Sequence, residues 1–96
     1  MQNLELRKKA VEVVQQIPIE GTFSQKNISE LGFDKKDGFW ISMIHDGMQV
    51  KLGHENIQLK SARVGQVIEY METNQFKARV IDADLSKKVL VKLRND

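Results

Sequence analysis

The chain has 96 residues, of which 41% are hydrophobic, and this size suits one compact domain over residues 1–96 with a moderately stable core. It contains no cysteine, which excludes disulfides and thiolate chemistry. No apolar run approaches the roughly 18 residues that a membrane-spanning helix needs. The net charge of +2 is too small to indicate binding to a polyanion, so we expect no nucleic-acid partner.

The first predicted element is a helix over residues 4–17. Apolar residues recur there at helical spacing, and Pro18 ends the helix because it lacks an amide proton and disfavours the α conformation before it. Arg7-Lys8-Lys9 lies inside this helix. We interpret these three charges as a solvated face and not as a nucleic-acid contact.

Residues 27–33 fit either a strand or one helical turn capped by Asn27. The strand is preferred because Leu31 and Phe33 alternate ahead of residues 34–38, whose composition is typical of a hairpin loop. A second hairpin follows. Residues 39–44 are rich in aromatic and β-branched side chains, Asp46-Gly47 is a signal for a two-residue turn, and apolar and polar residues alternate from 48 to 52.

Gly53 ends this hairpin, and residues 54–56 are expected to form the cap and first turn of a helix, with Glu55 near the positive end of its dipole. Residues 73–75 are the predicted terminator. Gly65 lowers helix stability, which suggests close approach of another element there. The predicted apolar face consists of Leu59, Val64, Val67, Ile68 and Met71.

Residues 77–93 are predicted to form the last hairpin, with arms at 79–81 and 88–93 joined around residues 84–87. The element order is therefore helix, three strands, helix, two strands. This order indicates an α+β fold: an antiparallel sheet of about five strands with two helices packed on it.

Catalytic and metal-binding patterns are weak. His45, His54 and Glu55 lack the spacing of a metal site, and Ser42 and His45 would lie on opposite faces of a strand, which argues against a triad with Asp46. We therefore expect no enzyme activity, no metal and no cofactor.

Two other candidates have ordinary structural interpretations. Asp82 and Asp84 would share a strand face as paired carboxylates, but acidic residues before a turn are more often solvated. Trp40 is more often a core residue than a binding anchor.

The last strand is the main candidate for a binding surface. Its sequence Val89-Leu90-Val91 is apolar on both faces, so as a sheet edge it could accept an added strand from a partner. In the alternative interpretation, Leu90 packs under a helix and the lysines around it block pairing at the edge. The residues alone do not favour either alternative.

The order of these motifs resembles a known family. Residues 38–53 resemble a hairpin of the pattern W-x-L-x-L-x-[DN]-G-x-x-[VL]-x-L-G, and an amphipathic helix and a strand containing Ile81-Asp82 come after it. This arrangement is similar to the C-terminal β domain of the bacterial cell-division family FtsQ/DivIB, over about residues 4 to 94.

The resemblance implies a piece of a bitopic membrane protein whose cytoplasmic tail, transmembrane helix, POTRA domain and first β-domain strands would precede Met1. We expect Met1 to be an expression start. The domain would lie on the extracytoplasmic, periplasmic face of the inner membrane at the division site. It would have no enzymatic activity and would bind FtsB and FtsL in the divisome scaffold during septum formation.

In the family the last strand receives a strand of FtsB, which corresponds here to residues 85–93. His54 occupies a position where the family often has a basic residue that pairs with an acidic residue of the partner. Leu85 replaces a common aromatic residue, and Ala83-Asp84 replaces a Leu-Arg pair. The implied partner-binding residues are Leu85, Ser86, Lys88, Val89, Leu90, Val91, Lys92, Leu93 and His54.

Another hypothesis remains open. The same sheet edge or the N-terminal helix could close a homodimer, because an uncovered apolar face or strand edge favours self-association. Nucleic-acid binding through Arg7-Lys8-Lys9 and the C-terminal lysines is a weaker possibility and would show a steep dependence on salt.

Overall fold

A computed structural model of the chain describes residues 4–44, 47–85 and 88–94. Five strands form one sheet in the order β1-β2-β3-β4-β5, and two α-helices accompany it. The predicted α+β class is confirmed. The elements are α1 (Leu4–Gln16), a 3-10 turn (Gln25–Asn27), β1 (Ile28–Asp34), β2 (Gly38–Met43), β3 (Gln49–Gly53), α2 (Ile57–Thr73), β4 (Ala78–Asp82) and β5 (Leu90–Leu93).

The sheet is antiparallel except at one pair. Strands β1 and β2, β2 and β3, and β4 and β5 run antiparallel, whereas β3 and β4 are parallel. The reason is the 17-residue helix α2 between them. A crossover helix carries the chain back to the end at which β3 began, so β4 starts in the same direction.

The end of α1 is fixed by both proline and a side-chain amide. Pro18 follows the helix, and the Gln25 side chain donates hydrogen bonds to the carbonyl oxygens of Val14 and Ile17 at 2.9 and 3.0 Å. These carbonyls lie at the end of the helix, where no N–H four residues further along the helix is available to donate to them. The predicted helix is therefore confirmed. Its buried side is narrow, since Val13 and Ile17 are buried while Leu4 and Val11 are exposed.

The first hairpin follows its predicted turn chemistry. The Asp34 carboxylate accepts the Lys36 N–H at 2.7 Å, and Gly38 closes the loop with a φ of +83°. Residues 27–33 were ambiguous between helix and strand. The structure confirms the strand, and it places a single 3-10 turn before it.

The second hairpin has a longer connection than the two-residue turn that Asp46-Gly47 predicts. Met43 N–H donates to the carbonyl oxygen of Met48 at 2.8 Å, so four residues separate the paired positions. Asp46 itself lies outside the described residues. The predicted buried face is confirmed, with Val50 and Leu52 fully covered.

Helix α2 differs from the prediction in the residue at which it begins and in the side that faces the core. Its N-cap is Asn56, so Glu55 precedes the helix and is not in its first turn. Leu59 is 53% exposed, because the buried stripe passes along the neighbouring side of the helix. The predicted termination is confirmed, since the helix ends at Thr73 and Asn74 caps it. The buried residues of α2 are Ile57, Lys60, Ser61, Val64, Ile68 and Met71.

One face of the sheet packs against both helices, and the buried side chains there form a single cluster. Trp40 is not in this cluster: it is half-buried on the opposite face, where it lies over Gly32. The close approach predicted at Gly65 occurs at its backbone, where the Thr22 hydroxyl donates to the Gly65 carbonyl oxygen at 3.2 Å, whereas nothing lies within 4 Å of a Cβ at this position. The core consists of Val13, Ile17, Phe23, Phe39, Ile41, Met43, Val50, Leu52, Ile57, Val64, Ile68, Met71, Ala78, Ile81 and Ala83.

Candidate partner-binding edge

Strand β5 lies at one edge of the sheet and pairs with β4 alone. Val91 packs against the core, whereas Leu90 is 48% exposed and Leu93 50% exposed. The alternative in which Leu90 packs under a helix is therefore wrong. The strand is shorter than predicted, because Lys88 and Val89 precede it. The candidate edge thus combines an unpaired backbone with exposed leucines.

The hydrogen bond at the end of β5 indicates which amides face outward. Arg94 N–H donates to the carbonyl oxygen of Lys77, on the β4 side, at 2.9 Å. Backbone groups of neighbouring residues alternate sides along a strand. Leu90 and Lys92 therefore face β4, as Arg94 does. The backbone N–H and C=O groups of Val91 point away from the sheet.

Two of the predicted site residues come together at the connection that leads to this strand. Leu85 and His54 line the same open depression, of about 380 Å³, between the start of α2 and the β4–β5 connection. The His54 ring also makes an edge-on contact with Phe33, with ring centroids 5.7 Å apart. Ser86, another predicted site residue, lies outside the described residues. The exposed Leu59 and the half-buried Arg63 add apolar and cationic lining, and Glu55 and Asp84 add two carboxylates.

Lys60, at the base of this depression, is a residue that the sequence interpretation missed. It is only 8% exposed, and its Nζ donates to the carbonyl oxygen of Leu52 at 2.8 Å and to Asp84 Oδ1 at 2.9 Å. A buried ammonium is costly unless it is paired and hydrogen-bonded, and both conditions are met here. The pair joins α2 to the connection between β4 and β5.

Asp82 and Asp84 have separate structural roles, which supports the ordinary interpretation over paired catalytic carboxylates. The Asp82 carboxylate accepts the backbone N–H of Asp84 at 3.0 Å and so shapes the turn after β4. Asp84 uses its own carboxylate for Lys60, and its side chain remains 43% exposed. Gly53 provides the space: its φ is +79°, and a Cβ there would lie 1.9 Å from Asp84 Oδ1.

A signal for Lys60 was present in the sequence. It lies three residues after Ile57 and four before Val64, which places it on the apolar stripe of α2. A lysine in such a stripe needs an acidic partner. That partner is 24 residues further along the chain, so helical periodicity alone could not identify Asp84.

The remaining chemical candidates receive no new support. Within residues 4–44, 47–85 and 88–94, no group of three or more His, Asp or Glu side chains could hold a metal ion. His45 and Asp46, the other members of the weak triad, lie outside those ranges. The described helices include none long and apolar enough to cross a membrane.

The comparison with protein families decides the assignment of the chain. The family model described as "Cell division protein FtsQ/DivIB, C-terminal" matches residues 2–84. The chain belongs to the FtsQ/DivIB family. The resemblance predicted from the hairpin, helix and strand motifs is thereby confirmed.

Two relatives have the same family name. The chain is 28% identical over 88 residues to "Cell division protein FtsQ" of Geobacter sp. (strain M21), an alignment that covers 92% of this chain and 32% of the relative. It is 27% identical over 85 residues to "Cell division protein FtsQ" of Geotalea daltonii (strain DSM 22248 / JCM 15807 / FRC-32), which covers 88% and 31%. The chain thus spans about a third of the length of these relatives. No solved structure matches it.

The FtsQ/DivIB match ends at Asp84, before β5 begins. It therefore covers both helices, four of the five strands and both members of the Lys60–Asp84 pair. The support for β5 as a candidate site therefore comes from its position at the edge of the sheet and not from the family match.

Proposed function

We propose that this FtsQ/DivIB domain is a non-enzymatic scaffold of the divisome that binds FtsB and FtsL-type division proteins by strand addition during septum formation. The observation that carries this proposal is the position of β5, a sheet edge with an outward-facing backbone. Family membership supports the role in cell division.

The mechanism is β-augmentation. A partner strand pairs with the outward-facing N–H and C=O groups of Val91 and Leu93, so that backbone bonds provide affinity and side-chain contacts provide specificity. Leu90 and Leu93, which are about half exposed in the free domain, lose solvent-accessible area in the complex. Lys88 and Lys92 remain at the rim, where exposed charges contribute little to affinity.

The depression next to the edge provides a second contact with the same partner. His54 and Arg63 can each donate hydrogen bonds to an acidic side chain, while Leu59 and Leu85 offer apolar area beside it. Because Leu85 comes directly before the β4–β5 turn, a partner paired with β5 passes close to this depression. The two surfaces together form one continuous interface.

In the longer protein, the domain works on the extracytoplasmic, periplasmic face of the bacterial inner membrane at the division site. Residues 1–96 form a single domain of that protein, and a membrane anchor elsewhere in the protein tethers this domain. Support for this location comes from the family match and from relatives about three times as long as the chain.

A proline variant tests the mechanism, since proline removes one backbone donor. Val91→Pro deletes an N–H that faces the partner, whereas the bonds of Leu90 and Lys92 to β4 remain. We expect the dissociation constant for a peptide of the C-terminal segment of the cognate FtsB to rise at least about tenfold, measured by titration calorimetry.

The matched control is Val91→Ala, which keeps the amide and shortens only the side chain. It should bind the peptide within about threefold of the original chain, because backbone pairing tolerates side-chain change. Circular dichroism establishes that both variants are folded. A folded Val91→Pro variant with unchanged affinity would contradict strand addition at this edge.

A homodimer is the second candidate function, and the exposed apolar residues of α1 favour it. Leu4 and Val11 are seven residues apart, so they lie on one face of the helix, and both are mostly exposed. An apolar helical face of this kind is covered when two copies pack together. Sedimentation of the free domain distinguishes the two functions.

A further inference from the structure

The connection between β4 and β5 is held by three hydrogen bonds to three different parts of the fold. Ala83 N–H donates to the carbonyl oxygen of Lys51 on β3 at 2.9 Å, and Asp84 N–H donates to the Asp82 carboxylate at 3.0 Å. The third bond runs from Lys60 Nζ on α2 to Asp84 Oδ1 at 2.9 Å. The two residues before Leu85 are therefore tied to three elements: Ala83 to β3, and Asp84 to β4 and α2.

The ion pair is the one bond of the three that joins this connection to a helix. Lys60 is fixed at its other side by the carbonyl oxygen of the fully buried Leu52, so the ammonium cannot follow Asp84 if the connection moves. The absence of a side chain at Gly53 leaves space for the Asp84 carboxylate. Lys60 and Gly53 therefore restrict where the Asp84 carboxylate can lie.

Strand β5 has few other attachments to the sheet. It is four residues long and pairs with β4 alone, and Arg94 N–H bonds to the Lys77 carbonyl oxygen at its far end. Short edge elements with exposed backbone open more easily than the core. Besides its pairing with β4 and the packing of Val89 and Val91 on the core, the strand is held by an anchor at Asp84 before it and an anchor at Lys77 after it.

We infer that Lys60 and Asp84 are positioning residues for partner binding: their ion pair holds the β4–β5 connection against α2 and keeps the edge of β5 in place for an incoming strand. The inference rests on the proposed function, because it specifies how the same edge is prepared. The partner it concerns is an extended peptide segment that pairs with β5.

Loss of the ion pair changes how well ordered β5 is before the partner binds. Without the pair, the connection and β5 move more freely in the unbound domain, and binding must then restrict that motion. The affinity for a strand falls even though neither Lys60 nor Asp84 contacts the strand's backbone. The core between the sheet and the helices keeps its packing.

Amide hydrogen exchange of the free domain tests the positioning role without a partner. In Lys60→Met and Asp84→Ala, exchange at Ala83, at Asp84 and through β5 should accelerate about tenfold or more, while core amides such as Ile41 and Val64 stay within about twofold. Asp84→Ala is informative even if Lys60→Met folds poorly, because the Asp84 side chain is 43% exposed.

Two control variants separate positioning from charge. Asp84→Asn keeps an oxygen that accepts from Lys60 but removes the negative charge, so exchange in β5 should lie between that of Asp84→Ala and that of the original chain. Lys26→Met removes the same charge from the exposed Lys26–Glu20 pair, whose nitrogen and oxygen are 3.5 Å apart, and should leave β5 unchanged. Uniform acceleration of all amides, or none in β5, would overturn the inference.

A titration with the FtsB C-terminal peptide separates this inference from the proposed function. Weaker binding to Asp84→Ala, by about tenfold, with partial recovery in Asp84→Asn supports both. If the original chain binds no peptide but β5 exchange still accelerates locally, the proposed function fails and the positioning role stands. If Asp84→Ala binds as well as the original chain, the inference fails and strand addition remains.

Discussion

Gly53 shows how one residue without a side chain determines the geometry beside the candidate edge. Its φ of +79° lies in the left-handed region, and a Cβ would meet Asp84 Oδ1 at 1.9 Å. Gly38 packs against the backbone of Gly53 from the other side, with 2.3 Å between its ideal Cβ and the Gly53 carbonyl carbon. The end of β3 therefore fits between β2 and the β4–β5 connection only as glycine.

Gly53→Ala should lower the free energy of unfolding by about 1 to 3 kcal/mol, because it adds backbone strain and displaces the Asp84 carboxylate. Urea denaturation followed by circular dichroism measures the change. Gly65→Ala is the matched control: with open space around its Cβ and a helical position, it should raise the same quantity by about 0.5 to 1 kcal/mol. Equal effects of the two substitutions would contradict this explanation.

The sequence predicts residues whose environment is local and misses those whose partners are distant. The turn role of Asp34 and the helix end at Pro18 depend on neighbours within a few residues. Burial of Lys60 depends on Asp84, and burial of Phe23 depends on the core cluster under a connection that contains few other apolar residues. Periodicity carries no information about either contact.

At the scale of elements, hairpins are predictable because turn residues and alternation act over short distances. The parallel β3–β4 pair has a different origin, since the direction of β4 depends on where α2 releases the chain. The sequence interpretation identified strand, helix and strand in this order but did not draw that conclusion. The same element order leaves β5 at the edge.

The contrast between β4 and β5 gives a prediction about stability. Ile81→Ala in β4 should lower the free energy of unfolding by about 2 to 4 kcal/mol, because Ile81 is fully buried between β3 and β5. Leu90→Ala in β5 should change it by no more than about 0.5 kcal/mol, since that side chain is half exposed. Thermal or urea unfolding measures both. Comparable losses in the two variants would mean that β5 is part of the core.

At the scale of the whole molecule, the charge distribution gives no support to a polyanionic partner. The 15 basic and 13 acidic residues nearly balance, and Arg7, Lys8 and Lys9 are all exposed on α1. The family assignment was predictable because it depends on the order of several motifs along the chain. The edge strand lies beyond the matched residues, so its role depends on the three-dimensional structure.

Salt dependence distinguishes strand addition from binding to a polyanion. The affinity for the FtsB peptide should fall less than about threefold between 50 and 200 mM salt, whereas several phosphate contacts would reduce affinity by orders of magnitude over that range. Calorimetry at the two concentrations provides the comparison. A steep decrease would indicate that charge pairs, and not backbone bonds, dominate the interface.

The most direct test of the central claim is backbone NMR of the labelled domain titrated with the C-terminal peptide of its cognate FtsB, alongside sedimentation of the free protein. We predict a monomer whose shifts concentrate in residues 85–94 and near His54. A stable dimer that covers β5, with no shifts at high peptide excess, would contradict strand addition and leave self-association as the function of this edge.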